Sequence, residues 1–157
     1  DWIEVTERGT AIIYGRSDAT INRHGIRMGT AELYRAVELQ PEVLDSLVVD
    51  LEYLGRPSFM PLFVVLAPGA PLDDALKTRI AHVIRTQASP RHVPDEIVAV
   101  AEVPRTLTGK KMELPVRKLL LGAAPDKVAS PDAMVNPASF DFFVRYAKEL
   151  DARMQKS

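Results

Sequence analysis

Prolines and glycines divide this chain into short elements and so limit the folds open to it. Pro41 and Pro90 each end a segment with helical spacing of apolar residues, because the residue before a proline avoids the helical conformation. Pro115 lies at the start of a third such segment, and Gly122 follows its end. Runs rich in Val, Leu and Phe lie between these segments and are typical of strands: 46–51, 60–66 and 96–103. Helices and strands without regular βαβ spacing predict an α+β fold.

The remaining elements are predicted from local patterns. Residues 2–5 and 11–14 flank a polar turn and predict a β-hairpin. Thr30 is expected to cap a first helix, the apolar spacing over 73–88 predicts a second, and Asn136 is expected to cap a last one. Residues 15–29 are expected to form a polar loop that can contain short strand pieces. Residues 123–137 are expected to form a surface arm.

Composition narrows the classes of function. A chain of 157 residues suits one domain, and its net charge of −1 gives no basic field that would attract nucleic acid. The absence of cysteine excludes disulfides and thiolate metal ligands, and it is compatible with a cytoplasmic location. No apolar run approaches the ~20 residues of a membrane span, so no membrane partner is expected. The chain begins with DWIEV and not with Met, which suggests part of a longer protein.

The segment PRTLTGKK, residues 104–111, displays a lysine beside a glycine. Gly109 allows backbone angles that other residues avoid, so Lys110 at the tip can reach a ligand outside its own domain. A phosphate-binding P-loop is excluded, because Pro104 and Lys111 stand where that motif needs Gly and Ser or Thr. Taken alone, the Gly-Lys pair is typical of a hairpin tip with a solvated lysine.

The loop 15–29 concentrates charged side chains among glycines. The planar fork of arginine matches phosphate oxygens, and Gly25 allows a close approach of the backbone to a ligand. The alternative is a turn whose charges are solvated. The charged residues of the loop are Arg16, Asp18, Arg23, His24 and Arg27. No metal site is expected, because metal-ligand spacing is absent among the three histidines: His24, His82 and His92.

These segments resemble motifs of one enzyme superfamily. GRSDATINRHGIRMGTAE, which starts at Gly15, is similar to the hinge segment of the adenylate-forming superfamily, which includes acyl-CoA synthetases, luciferases and peptide-synthetase adenylation domains. PRTLTGKK is similar to the catalytic-lysine motif of that superfamily. Arg85 and Asp1 precede the two motifs at the spacing of the CoA-contacting arginine and the ribose-binding aspartate of the superfamily. The resemblance covers nearly the whole chain, by motif to about residue 122.

Within the superfamily, the chain most resembles the acetoacetyl-CoA synthetases. The resemblance rests on SPRHVPDEIVAVAEVPRTLTGKKMELPV and on the tail around VNPASF. Acetyl-CoA synthetases usually have a hydrophobic residue and then arginines after the Gly-Lys pair, whereas Lys111, Glu113 and Pro115 follow it here. A second departure is Ala19, where many relatives have another acidic residue beside the hinge aspartate.

The resemblance implies a division of the chain and a two-step reaction. Residues 1–17 would end a large N-terminal domain, 18–122 would form a small mobile lid domain, and 123–157 would form a surface arm and a C-terminal helix. The whole enzyme would use ATP with Mg²⁺ to convert a small carboxylic acid, here acetoacetate, into acyl-AMP. CoA would then convert acyl-AMP into acyl-CoA and AMP. The chain alone is expected to be inactive, because the ATP and acid sites would lie in the missing N-terminal domain.

The resemblance also implies roles for particular residues. Lys110 would be catalytic by bridging the acid carboxylate and the α-phosphate, since a preorganised cation stabilises the charge that accumulates there. The domain would then swing about the hinge residue Asp18 and offer the loop 19–29 to the pantetheine thiol. The AMP or ATP ligands would be Asp1, Arg16 and Arg27, and the CoA ligands would be Gly25 and Arg85.

Three alternatives are compatible with the same residues. The chain could be a docking module or substrate for a lysine acetyltransferase, with a deacetylase that reverses acylation of Lys110, because acylation removes the charge of the lysine. It could instead be the same domain of a synthetase for another short-chain acid. In the third alternative, the motifs are chance matches in an unrelated α+β domain.

Overall fold

The computed structural model describes residues 2–5, 11–15, 20–52 and 57–156, which form short strands and helices. The strands are β1 Trp2–Val5, β2 Ala11–Gly15, β3 Ile21–Arg23, β4 Ile26–Met28, β5 Val43–Val48, β6 Pro61–Leu66 and β7 Glu96–Ala99. The helices are α1 Ala31–Glu38, α2 Asp74–Gln87, α3 Glu113–Leu120, α4 Pro125–Val128 and α5 Phe140–Gln155. Single 3₁₀ turns lie at Pro90–His92, Pro131–Ala133 and Pro137–Ser139. The predicted α+β class is confirmed.

Two antiparallel hairpins precede α1. Strands β1 and β2 pair with each other, which confirms the hairpin predicted at the start of the chain. Strands β3 and β4 pair within the segment that was expected to be a loop with short strand pieces. Their two-residue turn has positive φ at both positions, 52° at His24 and 77° at Gly25, which is the requirement of the type I′ turn that suits a tight hairpin.

The central sheet has the order β5-β6-β7, with β6 antiparallel to β5 and parallel to β7. Strand β6 is buried on both faces, and its side chains alternate between two hydrophobic clusters. Leu62 and Val64 pack with α1 and α2, whereas Phe63 packs with α3 and α5. The sheet is therefore covered by an α1–α2 layer on one face and an α3–α5 layer on the other.

The α1–α2 layer shows how two helix starts differ. Asp73 has an extended backbone, and its Oδ1 accepts a 2.8 Å hydrogen bond from the Leu76 amide, as a capping residue should. Thr30 also lies at a cap position, but its backbone is already helical and its side chain makes no capping hydrogen bond. The expectation that Thr30 caps α1 is therefore wrong in its chemistry, although the helix begins where it was expected.

The α3–α5 layer is held together by aromatic rings around Phe63. The Phe63 ring meets the rings of Phe143 and Tyr146 edge to face, with centroids 4.8 and 5.2 Å apart. Such contacts add about 0.5–1.5 kcal/mol per pair to the burial of apolar area. Within the described ranges, no helix combines the length and apolar character needed to cross a membrane.

The segment 123–137 is more than the expected surface arm. Met134 in this segment is buried, and it forms a β-bridge with Thr106 in the loop that carries the Gly-Lys pair. Asn136 does not cap α5, which begins only at Phe140. Its side-chain amide binds the backbone of a distant segment instead. Its Nδ2 donates to the Val103 carbonyl, and its Oδ1 accepts from the Arg105 amide.

Several element boundaries differ from the sequence expectation. The first strand of the sheet is 43–48 instead of 46–51, because its pairing with β6 begins at Val43. Strand β7 is 96–99 instead of 96–103, since its pairing with β6 ends at Ala99. Helix α3 begins two residues before Pro115, which still lies in the first turn, where a proline leaves no hydrogen bond unmade.

Phe63→Ala should remove the centre of the α3–α5 layer. The side chain is fully buried, so we expect a loss of about 3–5 kcal/mol in the free energy of unfolding, measured by urea denaturation. Leu44→Ala on β5 is the matched control, because Leu44 is 61% exposed and should change stability by less than about 0.5 kcal/mol. Equal losses in the two variants would contradict this account of the core.

Candidate functional site

The loop 106–110 fixes the backbone of Lys110 and leaves its side chain exposed. The Lys110 amide donates to Thr106 Oγ1 at 3.1 Å, and the Lys110 carbonyl accepts from the Thr106 amide at 2.9 Å. Gly109 has φ of 83°, and its amide donates to the Thr106 carbonyl at 2.8 Å. Among the described residues, the Lys110 ammonium group has no hydrogen-bond or ion-pair partner. The loop therefore displays one cation on a backbone that is hydrogen-bonded on both sides of it.

The neighbouring Lys111 has the opposite environment. Its side chain is 15% exposed, and its Nζ lies 2.7 Å from Glu38 Oε1 and 3.6 Å from Asp45 Oδ1. The same Nζ lies 3.6 Å from the centre of the Tyr34 ring, which is a favourable cation–π distance. The sequence shows two adjacent lysines, and the fold makes only Lys110 available to a ligand.

Tyr34 connects this lysine to the edge of the sheet. Its hydroxyl accepts from the Val48 amide at 3.1 Å and donates to Glu113 Oε1 at 3.2 Å. Burial, and after it the Glu113 carboxylate, raises the pKa of Tyr34 well above its usual range, so the hydroxyl keeps its proton. An amide of edge strand β5 is thereby satisfied by a side chain.

Arg105 is a third cation near the loop, and it is paired. Its Nε and Nη2 bind both carboxylate oxygens of Asp45, with an Nη2–Oδ2 distance of 2.7 Å. Its Nη1 donates to the Gly109 carbonyl at 2.7 Å. Sequence reasoning missed Asp45, Tyr34 and Glu38, because each lies at least 60 residues before its partner and no local pattern connects them.

The hairpin β3–β4 carries Gly25 at an exposed tip, and contacts of two neighbouring residues anchor the tip. Arg23 donates to the Val93 carbonyl at 2.8 Å and pairs with Asp95 at 3.0 Å. The His24 amide donates to Glu52 Oε2 at 2.8 Å. The contacts of Arg23 and His24 thus bind the hairpin to the domain, and Gly25, the glycine expected to meet the pantetheine thiol, stays exposed at the tip.

The other predicted ligand residues are divided between described and undescribed parts of the chain. Arg85 is exposed in the last turn of α2, and Arg27 is exposed on β4. Both elements contribute to the hydrophobic cluster of the α1–α2 layer, whereas residues next to the Lys110 loop, Val103 and Met112, belong to the other cluster. Three predicted residues lie outside the described residues: Asp1, Arg16 and Asp18.

His92 is a buried titratable group behind the hairpin. Its Nδ1 lies 2.8 Å from Ser89 Oγ. Burial lowers the pKa of His92, although the Glu32 carboxylate and the backbone of Gly29, just after β4, favour the charged form. Its burial thus favours the neutral imidazole.

A metal ion has no evident site in this part of the molecule. Within the ranges that the structure describes, no group of three or more His, Asp or Glu side chains could hold one. The described residues offer two exposed features. One is Lys110 on its hydrogen-bonded loop. The other is the turn at Gly25, which packs with the α1–α2 layer that also carries the exposed Arg85. Such an arrangement can present two different faces to ligands.

Several known proteins are similar to this chain. Acetoacetyl-coenzyme A synthetase of Rhizobium meliloti (strain 1021) is 44% identical over 143 residues, which is 91% of this chain and 21% of that protein. The solved acetoacetyl-CoA synthetase from Streptomyces lividans is 49% identical, with a TM-score of 0.86 over 95% of this chain and 22% of that one. An anthranilate CoA ligase, solved with anthranoyl-AMP, is 26% identical, with a TM-score of 0.61 over 69% of this chain and 21% of that one. No family model matches the chain.

The chain spans about a fifth of the length of the curated relatives it matches. The similarity extends over both helical layers and the sheet, because it covers nearly all of the chain. It therefore includes the segment 123–137, which the sequence motifs did not reach.

The stability of the chain should depend on pH through His92. The folded pKa lies below the unfolded value of 6.5, so the unfolded state takes up the proton first as the pH falls. Unfolding should become easier below pH 6.5, by at most about 1.4 kcal/mol per pH unit for this one proton. Urea unfolding at pH 8.0, 7.0, 6.0 and 5.5 should show a smaller pH dependence for His92→Gln than for the unchanged chain. His82→Gln, at an exposed position, should retain the full dependence, and a match between the two variants would refute the assignment.

Proposed function

Because this chain is a homologue of the C-terminal domain of acetoacetyl-CoA synthetases, in the adenylate-forming superfamily, we propose that it is the mobile catalytic domain of an ATP-dependent acid–thiol ligase. The observation that carries the proposal is the environment of Lys110. An exposed ammonium group, with no partner in the part of the chain that the structure describes, lies on a loop whose backbone is fixed by hydrogen bonds. A cation held in this way can enter the active site of a second domain.

In the first half-reaction, Lys110 acts on two anions. The carboxylate of the acid attacks the α-phosphorus of ATP, the bond to the bridging oxygen of the β-phosphate breaks, and pyrophosphate leaves. The two reactants repel each other, and negative charge builds up on the phosphate oxygens as the new bond forms. The Lys110 ammonium group lies between carboxylate and phosphate and stabilises this charge more strongly in the transition state than in the separate reactants.

In the second half-reaction, the hairpin β3–β4 replaces the lysine loop. The thiol of CoA loses its proton and attacks the acyl carbonyl carbon, and AMP leaves. This step does not bring a carboxylate to a phosphate, so it does not need the lysine cation. It needs a path along which the pantetheine arm of CoA can reach the acyl group. We assign that path to the turn at Gly25, which has no side chain to block it, and we assign Arg85 to a phosphate of CoA.

The exchange between the two faces requires a hinge, which we assign to Asp18. Residues 1–17 are proposed to belong to the large N-terminal domain, 18–122 to the lid and 123–157 to its C-terminal extension. Asp1, Arg16 and Arg27 are proposed as ligands of the nucleotide. No described residue is assigned as a ligand of the Mg²⁺ ion that accompanies ATP, because the described residues include no carboxylate cluster that could hold it.

Acetoacetate is the proposed acid, because the relatives that match most of the chain carry the name of acetoacetyl-CoA synthetase. The side chains that would select it belong to the missing N-terminal domain, so another short-chain acid is the alternative. Two further expectations stay predictions: a cytoplasmic location, and reversible acylation of Lys110 by a lysine acetyltransferase. The greater exposure of Lys110 compared with Lys111 favours the first lysine as the acylated one.

Lys110→Ala in the ligase that carries this chain should slow adenylation and spare the second half-reaction. Removal of one positioned electrostatic donor costs about 10²–10³ in rate, and a full charge is lost here. Pyrophosphate release measures the first step, and formation of acyl-CoA from synthetic acyl-AMP measures the second. Lys118→Ala, an exposed lysine on α3, is the control and should change neither rate. Equal losses in both steps for Lys110→Ala would argue against the assigned role.

Arg85→Ala should weaken the binding of CoA without affecting pyrophosphate release. Loss of one charge-assisted hydrogen bond of about 1.5–3 kcal/mol corresponds to roughly a 10–100-fold rise in the KM for CoA. Arg145→Ala, at an exposed position on α5, is the matched control. If Arg85 only interacts with the dipole of α2, the KM for CoA will stay unchanged and thermal stability will fall slightly.

A further inference from the structure

Arg105 binds the backbone of the lysine loop, and its contacts extend in two directions. On one side it holds both oxygens of Asp45, on edge strand β5, through Nε and Nη2. On the other side its Nη1 donates to the carbonyl of Gly109, which belongs to the peptide unit that joins Gly109 to Lys110. One planar guanidinium group therefore connects the central sheet directly to the residue before the lysine.

Arg105 is itself held at its backbone. Its amide donates to Asn136 Oδ1 at 3.0 Å, and its carbonyl accepts from the Val135 amide at 3.1 Å. The β-bridge between Arg105 and Lys111 closes the base of the loop. The position of the guanidinium group is thus fixed by the segment that was expected to be a surface arm.

We infer that Arg105 and Asp45 are positioning residues for Lys110. The pair orients the Gly109–Lys110 peptide, so that the lysine side chain leaves the loop in one direction. Gly109 has φ of 83° and no side chain, so its peptide has many orientations to lose. The amide side of this peptide is held by Thr106 Oγ1, and Arg105 supplies the hydrogen bond that holds its carbonyl side. The inference rests on the proposed role of Lys110 in adenylation and adds the residues that prepare it.

The geometry favours a positioning role over a role in stability alone. The side chains of Arg105 and Asp45 are 32% and 21% exposed, and partly exposed ion pairs contribute little to stability. A shift of the reacting group by about 1 Å, in contrast, can cost 10²-fold in rate. The pair should therefore matter more for the rate of the first half-reaction than for folding.

Arg105→Lys is the decisive variant. A lysine keeps the positive charge but has a single ammonium group in place of a rigid fork, so it cannot hold Asp45 and the Gly109 carbonyl in the same way. We expect hydrogen exchange of the Gly109 and Lys110 amides in this chain, measured by NMR, to become at least about tenfold faster. Arg153→Lys changes another arginine of an ion pair, with Glu96, and should leave these amides unchanged. Asp45→Asn is the second variant, should Arg105→Lys fail to fold, and should accelerate the same amides.

The same variants test the catalytic consequence in the ligase that carries this chain. Adenylation should fall about 10–100-fold in Arg105→Lys, while formation of acyl-CoA from synthetic acyl-AMP should stay unchanged. In a Lys110→Ala background, Arg105→Lys should cause no further loss, because a positioning residue acts only through the group it positions. Equal losses in both half-reactions, or a full additional loss in the Lys110→Ala background, would overturn the inference.

The two proposals fail in distinguishable ways. If Lys110→Ala leaves adenylation intact, the proposed function is wrong, and the exchange of the Gly109 and Lys110 amides still decides whether the pair orders the loop. If Lys110→Ala abolishes adenylation while Arg105→Lys and Asp45→Asn change neither amide exchange nor rate, the inference alone is wrong.

Discussion

The double burial of strand β6 is the constraint on which the rest of this structure depends. Because neighbouring side chains of a strand point to opposite faces, a strand buried on both faces needs apolar partners on both. Leu62 and Val64 on one face, and Phe63 on the other, require a helical layer each. The Gly25 hairpin packs with one layer, and the loop of Lys110 begins and ends in the other. The segments that carry the two features proposed to act in different half-reactions thus pack in different clusters of the core.

The charged network at the edge of the sheet converts a loop with several cations into a site with one. Lys111 and Arg105 are held by the carboxylates of Glu38 and Asp45, and Lys110 between them is left exposed. These pairs are partly open to solvent, so their contribution to stability is small. Their consequence is geometric: an unpaired cation keeps its charge available for an anionic ligand, whereas a paired one has already been neutralised.

The elements that the sequence predicted best are those whose signal is local. Helix α2 was expected over 73–88 and spans 74–87, because its apolar spacing, the Asp73 cap and Pro90 lie within one segment. The prediction failed where a polar side chain has a hydrogen-bonding partner far away in the sequence. Asn136 has the chemistry of a cap, but its amide binds the backbone at Val103 and Arg105 across the fold. Thr30 has the chemistry of a cap too, yet its backbone is already helical.

The sequence by itself determined the class of fold, since short-range spacing of apolar residues, glycines and prolines is enough to encode short helices and strands. It also carried the two motifs through which the chain resembles its family. It also singled out Lys110 by its place after Gly109. Only the tertiary structure decided which of two adjacent lysines is exposed and what holds the loop, because Asp45 and Glu38 are at least 60 residues away from the cations they bind. Pairing between distant charges depends on where the core brings the chain together, and no local pattern records it.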